Sequence, residues 1–183
     1  MTDDLVLNRY DADSARERFD ELVATYLDAY AGAGPNYTEE RFRRQLSSHL
    51  QSSGFSLVAA EVRGAVIGYA YGRTAPPHAR FWEGLQTPVP AGLTWEDGNR
   101  SFGLCELMVR KEWQRRGVAE ALHDELLAGR PEQRATLYAR PDNAPAQAAY
   151  AKWGWRKVAQ VQPSWENAPV YDVLVRQLGR QTD

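Results

Sequence analysis

The sequence contains little cysteine or histidine and no long apolar run. Cys105 is the only cysteine among 183 residues, which excludes internal disulfides and metal sites built from several thiolates. The three histidines are scattered and form no recognisable pair of metal ligands, so we expect no metal. The first residues, MTDDLVLNRY, are acidic and include no apolar run long enough for a signal peptide or a membrane span. These features predict a reduced, metal-free, cytoplasmic protein.

A strong excess of charge of either sign is also missing. The formal net charge of -2 argues against nucleic acid or an anionic membrane as the main partner. Apolar residues make up 43% of the chain and charged residues 25%, which is typical of a soluble globular protein. A chain of this length is sufficient for one well-cored domain. We therefore expect a single domain over residues 1–178 and a frayed tail at 179–183.

The alternation of strand and helix patterns predicts one mixed α/β sheet. In the first half, hydrophobic spacing predicts a strand at Leu5–Tyr10, a helix at 13–31 and a second helix capped by Thr38. Two apolar runs joined by Arg63-Gly64 predict a β-hairpin. The later elements are expected as a strand at Ser101–Val109, a helix at 117–129, a strand at 135–139, a helix at Ala144–Lys152 and strands at 155–161 and 170–178. The resulting order, β-α-α-β-β-β-α-β-α-β-β, implies six to seven strands flanked by about four helices.

The stretch EWQRRGVAEALHDELL runs from two arginines and a glycine directly into a helix. Backbone N–H groups at a helix N-terminus have no acceptor within the helix, and the helix dipole adds partial positive charge there. A pyrophosphate is a suitable ligand for such a site, and a glycine lets the backbone approach it closely. Taken alone, the stretch fits a simple turn equally well.

Two motifs in the second half resemble a known family. The segment SFGLCELMVRKEWQRRGVAEALHDELL resembles motif A of the Gcn5-related N-acetyltransferase (GNAT) superfamily, in which a strand leads through Q/R-x-x-G-x-G/A into a helix. The matching residues are Gln114, Gly117 and Ala119. PDNAPAQAAYAKWGW resembles the family's motif B, N-x-x-A-x-x-x-Y-x-x-x-G-[FW], through Asn143, Ala146, Tyr150, Gly154 and Trp155. The close match covers roughly residues 101–161.

The resemblance implies a single-domain GNAT fold with a central, mixed, mostly antiparallel sheet, and acetyl-CoA as the co-substrate. The backbone amides of residues 115–119, extending to 120, are implied to hold its pyrophosphate. The end of the motif A strand is implied to pair with the pantetheine arm as an added strand, at a point where this strand splays from its neighbour. The implied cofactor-binding residues are Leu107, Met108, Val109, Gln114, Arg115, Arg116, Gly117, Val118, Ala119, Glu120 and Asn143.

Acetyl transfer to an amine needs a base for the amine and an acid for the departing thiolate. Tyr150 follows Asn143 by nearly two helical turns, so the two share a side, and the resemblance to motif B implies that Tyr150 is the acid. Glu106 lies in an otherwise apolar strand, LCELMV, and is the expected base, directly or through a water. The structural alternatives are an amphipathic helix with an N-capping Asn143 and a core tyrosine, and a sheet-margin glutamate paired with an arginine. Cys105 alternates to the face opposite Glu106, with no histidine nearby in sequence, so a covalent acetyl-cysteine is disfavoured.

The resemblance places the acceptor against the first two helices and the loops before motif A. Residues 74–100, rich in Pro, Gly and Trp, form an unusually long loop there. Aromatic rings near acidic residues suit a cationic amine, and the candidate substrate-binding residues are Tyr26, Tyr30, Trp82 and Trp95. These tryptophans equally fit the anchoring of the loop to the core. Arg134 and Arg140 flank a strand and are expected to be solvated, with contact to the 3′-phosphate of the cofactor as the alternative for either.

Three functions fit these residues. The first is an N-acetyltransferase, and so an acyltransferase, that acts on a small-molecule amine. The second is a protein or peptide N-acetyltransferase that modifies lysines or an N-terminal amine. The third is a non-catalytic CoA-binding sensor, which the retention of Glu106 and Tyr150 disfavours. A homodimer is compatible with the sequence, which does not identify its interface.

Overall fold

The computed structural model describes residues 4–179, so the predicted tail at 179–183 lies almost entirely outside the described residues. Within this range the chain forms seven strands and five α-helices, and no helix is both long and apolar enough to cross a membrane. Their bounds are β1 Leu5–Tyr10, α1 Ala12–Glu17, α2 Phe19–Ala29, α3 Glu39–His49, β2 Ser56–Val62, β3 Ala65–Thr74, β4 Ser101–Val109, α4 Val118–Leu127, β5 Arg134–Ala139, α5 Ala144–Lys152, β6 Arg156–Val161 and β7 Tyr171–Gln177.

The strands are hydrogen-bonded in the order β1-β2-β3-β4-β5-β7-β6. β1 pairs antiparallel with β2, β2 with β3, β5 with β7 and β6 with β7, whereas β4 and β5 are parallel. The predicted mixed, mostly antiparallel sheet of six to seven strands is therefore confirmed. The hairpin between β2 and β3 also forms as predicted, because Arg63 and Gly64 adopt φ values of 51° and 80°, which a two-residue turn requires.

The single first helix predicted at 13–31 is wrong, because the chain divides it into α1 and α2 at Arg18. The backbone of Arg18, with φ -103° and ψ 13°, ends one helix and begins the next. Its guanidinium donates to the Tyr10 hydroxyl and to Gly64 O, and pairs with Glu21. The contacts with Tyr10 and with the turn at Gly64 reach outside the helix and favour the break. Apolar spacing alone does not reveal such contacts. The chain consequently has five helices where about four were expected.

The chain folds into two compact units, and the first comprises residues 1–73 and 104–128. α1, α2 and α3 pack on β2, β3 and the end of β4 through a cluster of buried residues. Its larger members are Leu22, Tyr26, Phe42, Leu46, Leu57, Tyr69, Tyr71 and Met108. Val58 and Ala60 alternate with the β2 members of this cluster and are equally buried, and α4 contacts β2. Both faces of β2 are therefore covered.

The second unit comprises residues 74–103 and 129–183. Its core is formed by β6 and β7 with side chains from the long loop before β4. The fully buried members are Trp82, Ala159, Val161, Val173 and Val175, with Phe81, Leu85, Val89 and Leu93 packed against them. The loop at 74–100 is thus attached to the core of its own unit by apolar side chains along much of its length.

Candidate active site

Glu106, in the C-terminal part of β4, is half-buried and is held by two neutral side chains. Gln45 Nε2, on α3, lies 2.9 Å from Oε1, and the Tyr30 hydroxyl lies 3.2 Å from Oε2. Each carboxylate oxygen therefore accepts one hydrogen bond. These donors fix the orientation of the carboxylate without neutralising its charge.

The surroundings of Glu106 give its carboxyl an unusual acidity. Burial raises the pKa of Glu106 from 4.5 to about 7, while the hydrogen bonds from Gln45 and Tyr30 and the positive charge of Arg41 act in the opposite direction. A carboxyl with a pKa near 7 exchanges protons readily at neutral pH, which is the property required of a general base.

Tyr30 and Tyr26, both predicted to bind substrate, have different environments. Tyr26 is a buried core residue whose ring stacks on Phe42 with centroids 3.8 Å apart. Tyr30 is half-buried, and its ring centroid lies 4.7 Å from that of Tyr26 and 4.6 Å from that of Tyr37. The Tyr30 hydroxyl donates to Glu106 Oε2. It therefore links the aromatic cluster to the carboxylate.

Cys105 packs against the core cluster that contains Met108. Strand alternation predicted that Cys105 faces away from Glu106, and therefore away from Met108, which shares the face of Glu106. Burial raises the pKa of the Cys105 thiol to about 12, and the charge of Glu106 adds to this rise while Arg73 opposes it. A thiol with this pKa stays protonated at neutral pH. Because the thiolate is the nucleophilic form, the environment of Cys105 does not favour a covalent acetyl-cysteine.

The segment that follows β4 is fixed at its start by contacts within the first unit. Arg110 donates from Nε to Val66 O and from its guanidinium to Thr25 Oγ1. Lys111 donates from its backbone N–H to Asp28 and from Nζ to Ala31 O, at 3.1 and 2.6 Å. The sequence interpretation overlooked both residues. Together they attach the beginning of the loop to α2 and β3.

The loop then enters α4 through two residues with left-handed backbone conformation. Arg115 has φ 58° and Gly117 has φ 81°, and Gly117 is the N-cap of α4. The first helical hydrogen bond runs from Ala121 N–H to Gly117 O, so the N–H groups of residues 118–120 precede any acceptor within the helix. A Cβ added to Gly117 would meet no atom within 4 Å. The space beside this helix N-terminus is therefore open.

The remaining cofactor-site candidates of the first unit lie on either side of this turn. Leu107 is half-buried, and Met108 and Val109 are buried in β4. The register between β4 and β5 runs only from Ser101 to Gly103, although β4 continues to Val109. Gln114 donates from Nε2 to Val109 O at 3.0 Å, which ties the loop back to the strand end. Arg115 and Arg116 are exposed, Val118 is buried, and Ala119 and Glu120 are half-buried.

The motif B residues belong to the second unit. Asn143 is exposed and caps α5, because its side-chain oxygen accepts from Ala146 N–H at 3.2 Å. Tyr150 is half-buried, and its ring meets those of Trp153 and Trp155 nearly edge-on, with centroids 5.8 and 5.9 Å away. α5 has no buried residue, so Tyr150 is not the core tyrosine of the structural alternative.

The two loop tryptophans also belong to the second unit and differ in exposure. Trp82 is buried, and its indole N–H donates to Glu96 Oε1 at 3.1 Å. Arg134 lies over the Trp82 ring at 5.2 Å and pairs with Glu96 at 2.9 Å. The expectation that Arg134 is solvated is wrong, since only 2% of the residue is exposed. Trp95 is 59% exposed and carries Arg100 over its ring.

The sequence-predicted residues are thus brought together in two groups. The first unit holds Glu106, Tyr26, Tyr30 and the candidates from Leu107 to Glu120, and the second holds Tyr150, Asn143, Trp82 and Trp95. Gln45 is a partner of Glu106 that the sequence interpretation missed. Its signal was present, since Arg41, Gln45 and His49 recur every four residues beside the apolar stripe of α3. Among residues 4–179, no cluster of His, Cys, Asp or Glu is arranged to hold a metal ion.

Comparison with known proteins is consistent with this geometry. The model of the acetyltransferase (GNAT) family matches residues 19–155. No curated protein sequence gives a significant match. Among solved structures, the ribosomal-protein-S18-alanine N-acetyltransferase of Escherichia coli has a TM-score of 0.63 at 15% identity, with 98% of this chain and 99% of that chain covered.

Two further structures have the same fold at similarly low identity. The PaiA N-acetyltransferase of Thermoplasma acidophilum, solved in complex with coenzyme A, has a TM-score of 0.59 at 10% identity, covering 94% of this chain and 98% of that one. A GNAT-family acetyltransferase of Streptococcus pneumoniae has a TM-score of 0.61 at 15% identity, covering 94% and 99%. The family match covers most of the sequence, and the structures agree with it in fold. The chain therefore belongs to the GNAT family of acetyltransferases.

Proposed function

We propose that this acetyltransferase transfers an acetyl group from acetyl-CoA directly to the amine of a small molecule, within a ternary complex. The observation that carries the proposal is Glu106, a half-buried residue whose carboxyl has a pKa of about 7 and is held by the neutral donors Gln45 and Tyr30. Such a group accepts a proton from an amine near neutral pH. A non-catalytic CoA sensor has no need for a carboxylate maintained in this state.

The chain offers residues that fit acetyl-CoA, which supplies an activated acetyl thioester. The left-handed Gly117 and the open space beside it allow a pyrophosphate to approach the amides of residues 115–120. Exposed Arg115 and Arg116 add positive charge, and Gln114 links the loop to β4. The backbone of residues 107–109 lies beyond the part of β4 that pairs with β5, which leaves it suited to a pantetheine arm. The coenzyme A complex of the PaiA N-acetyltransferase supports the same choice of donor.

Two side chains are proposed to move protons. Glu106 takes the proton from the acceptor amine, and Tyr150 gives its hydroxyl proton to the departing thiolate. The protonated state of Cys105 favours direct transfer over a covalent intermediate, because burial raises the pKa of that thiol to about 12. Asn143 is proposed to contact the cofactor arm with its amide group, in addition to capping α5.

A compact amine is the proposed acceptor because Tyr30, which donates to Glu106, belongs to an aromatic cluster with Tyr26 and Tyr37. Aromatic faces beside a carboxylate attract a cationic amine, and the aromatic side chains that bind it have few rotatable bonds. Exposed Trp95 is a second proposed contact, whereas Trp82 already has Glu96 and Arg134 as partners.

A protein or peptide acceptor is the second candidate, favoured by the fold similarity to an N-acetyltransferase that modifies ribosomal protein S18. A cytoplasmic location remains a prediction, and so does homodimer formation.

Release of free CoA thiol separates these functions. We expect acetyl-CoA turnover to depend on added amine, with kcat/KM at least roughly tenfold higher for the best small amine than for the best of a matched set of short peptides. Tyr150→Phe is expected to reduce kcat while leaving the affinity for acetyl-CoA unchanged. Peptides as the better acceptors would select the second candidate. Binding of acetyl-CoA without turnover by any amine would exclude catalysis.

A further inference from the structure

A polar row on α3 lines the side of Glu106. Arg41, Gln45 and His49 follow one another at intervals of four residues, which places them on one face of the helix. All three are half-buried, next to the buried residues Phe42 and Leu46 of the same helix. A face with this exposure normally carries apolar side chains against the core. Its polarity here requires hydrogen-bond partners from the sheet.

Gln45 and His49 have such partners in a short chain of hydrogen bonds. Gln45 Nε2 donates to Glu106 Oε1 at 2.9 Å and to the Tyr71 hydroxyl oxygen at 3.3 Å. The same Tyr71 hydroxyl lies 3.0 Å from His49 Nδ1. A primary amide has two N–H groups, and both are used in this arrangement. Because the Tyr71 oxygen accepts from Gln45, its single proton is directed to His49.

The state of His49 determines the direction of this chain. Burial, with a contribution from Arg73, lowers the pKa of His49 to about 4, so the ring is neutral at neutral pH and Nδ1 can accept. Were Nδ1 to carry a proton, the Tyr71 hydroxyl would point its own proton towards Gln45. The amide would then have to present its oxygen to Tyr71, and because one nitrogen makes both bonds, the N–H bond to Glu106 would be lost.

We propose that Gln45 is a positioning residue for Glu106, and that Tyr71 and His49 hold its amide with the N–H groups towards the carboxylate. The proposal rests on the proposed function, in which Glu106 is the base. Gln45 stabilises the ionised carboxylate and fixes its direction, and the neutral His49 ring terminates the chain as an acceptor. The polar row of α3 thereby sets the protonation of a group on β4.

Other groups also face Glu106, and each has a defined effect. The Tyr30 hydroxyl, at the end of α2, and the positive charge of Arg41, on α3, both favour the ionised carboxylate. Tyr69 and Tyr71 on β3 and Cys105 on β4 are neutral, and the charge of Glu106 helps to raise the pKa of each of them. None of these five groups replaces the short bond from Gln45 when that bond is removed.

The test is a titration of the Glu106 side-chain carboxyl by carbon-13 NMR in the ligand-free protein. Gln45→Met keeps the side-chain length and removes both N–H donors. We expect the midpoint to rise by roughly one pH unit, a tenfold change in the acid dissociation constant. Gln51→Met is the matched control, since Gln51 is exposed just beyond α3 and its side-chain amide donates to the backbone oxygen of Ser47. An unchanged midpoint in folded Gln45→Met overturns the proposal.

Two variants test the rest of the chain. Tyr71→Phe keeps Gln45 but removes the oxygen that orients it, so a smaller upward shift of the same midpoint is expected. No shift in Tyr71→Phe overturns the part played by Tyr71 and His49. Gln45→Asn retains an amide that is one carbon too short to reach the carboxylate, and repeats the main test should Gln45→Met fail to fold.

Kinetics separates this proposal from the proposed function. If Gln45 positions Glu106 and Glu106 is the base, the midpoint of the acidic limb of kcat/KM rises in Gln45→Met by the same number of pH units as the NMR midpoint. The value of kcat/KM on the alkaline plateau then changes at most a few-fold. A shift seen by NMR without one in the kinetic limb supports the positioning of Glu106 and overturns its role as the base. The absence of both shifts in folded protein overturns the positioning role of Gln45.

Discussion

Glu96 lies shortly before β4 and Glu106 lies within it. Both residues are shielded from solvent at least in part, but their hydrogen-bond partners differ in charge. Glu96 Oε1 accepts from the Trp82 indole, the Ser101 hydroxyl and the guanidinium of Arg134. Glu106 accepts from an amide and a phenol, both neutral. The same residue type therefore forms one half of a buried ion pair in the second unit, and in the first it is held by neutral donors and is our proposed proton acceptor.

The charge of the partner accounts for this difference. Arg134 supplies Glu96 with a cation at hydrogen-bond distance, which compensates the charge of that buried carboxylate directly. Neutral donors compensate for burial only in part, which leaves the pKa of Glu106 at about 7. The comparison teaches that burial of a carboxylate does not by itself indicate catalysis. The informative feature is burial without a directly bonded cation.

Glu106→Gln should give the largest effect on catalysis and little effect on folding. Removing a general base typically lowers the rate by about 10²–10⁴-fold, and kcat/KM for the best amine acceptor is expected to fall within that range. The fold should not be weakened at pH 8. Since the pKa of Glu106 is raised to about 7 in the folded chain, its ionisation disfavours the folded state as the pH rises from 4.5 through 7.

Parallel measurements of turnover and melting temperature at pH 8 check this expectation. Acetyl-CoA affinity provides the control, because Glu106 is proposed to act on the acceptor amine. Turnover close to that of the wild type would remove Glu106 from the mechanism. A loss of turnover matched by a large fall in melting temperature would make Glu106 structural like Glu96.

Arg134→Met tests the other half of the comparison and should act on stability. It leaves Glu96, which is 7% exposed, without its cation, and also removes bonds to Ser101 and Leu93 O. Breaking one side of a buried ion pair typically destabilises a protein by about 3–5 kcal/mol, which denaturant unfolding would measure. The double variant Glu96→Gln with Arg134→Met should recover much of this loss, since no charge then remains buried.

The matched control for this prediction is Arg140→Met, in the same unit. Arg140 pairs with Asp142 at 2.8 Å, but the two side chains are 35% and 70% exposed, so the free energy of unfolding should change little. Equal effects of Arg134→Met and Arg140→Met would mean that burial of the pair adds no stability. The distinction between Glu96 and Glu106 would then lose its physical basis.

A smaller effect is expected at Gly117, where the first unit is proposed to hold phosphate through its backbone. Left-handed conformation disfavours alanine by about 1–2 kcal/mol, so Gly117→Ala should weaken coenzyme A binding by roughly 5- to 30-fold in calorimetry. Arg115→Ala should weaken it less, because the amides are the main ligands. Gly129, with φ 69° and equally open surroundings just after α4, provides the matched control. Stronger impairment of binding by Arg115→Ala or by Gly129→Ala would contradict the amide-based site.

The elements of the fold could be predicted largely from local sequence. Thr38 caps α3, Arg63-Gly64 makes the hairpin turn, and the bounds predicted for β1, β4 and α5 agree with the structure. Each of these depends on residues close together in the chain, where turn and capping preferences act. The break at Arg18 was missed because its partners Tyr10, Gly64 and Glu61 come from other elements.

The candidate site was predictable in part. Gly117 and Glu106 stood out because each departs from the pattern around it, one by backbone freedom and one by charge in an apolar strand. Gln45 did not stand out, since its role depends on a contact with a residue 61 positions away. Arg134 was misjudged because its place at the end of a strand suggested solvent, while the loop residue Glu96 covers it. Long-range partners of this kind are fixed only by tertiary packing.

The pH dependence of kcat/KM tests most directly whether Glu106 accepts the proton of the acceptor. The acceptor should have an amine pKa well away from 7, so that its own ionisation does not appear in the same range. We predict an acidic limb with a midpoint near pH 7 in the wild-type enzyme, set by the pKa of Glu106. The residual activity of Glu106→Gln should lack this limb. A limb with the same midpoint in Glu106→Gln would contradict the assignment of Glu106 as the base.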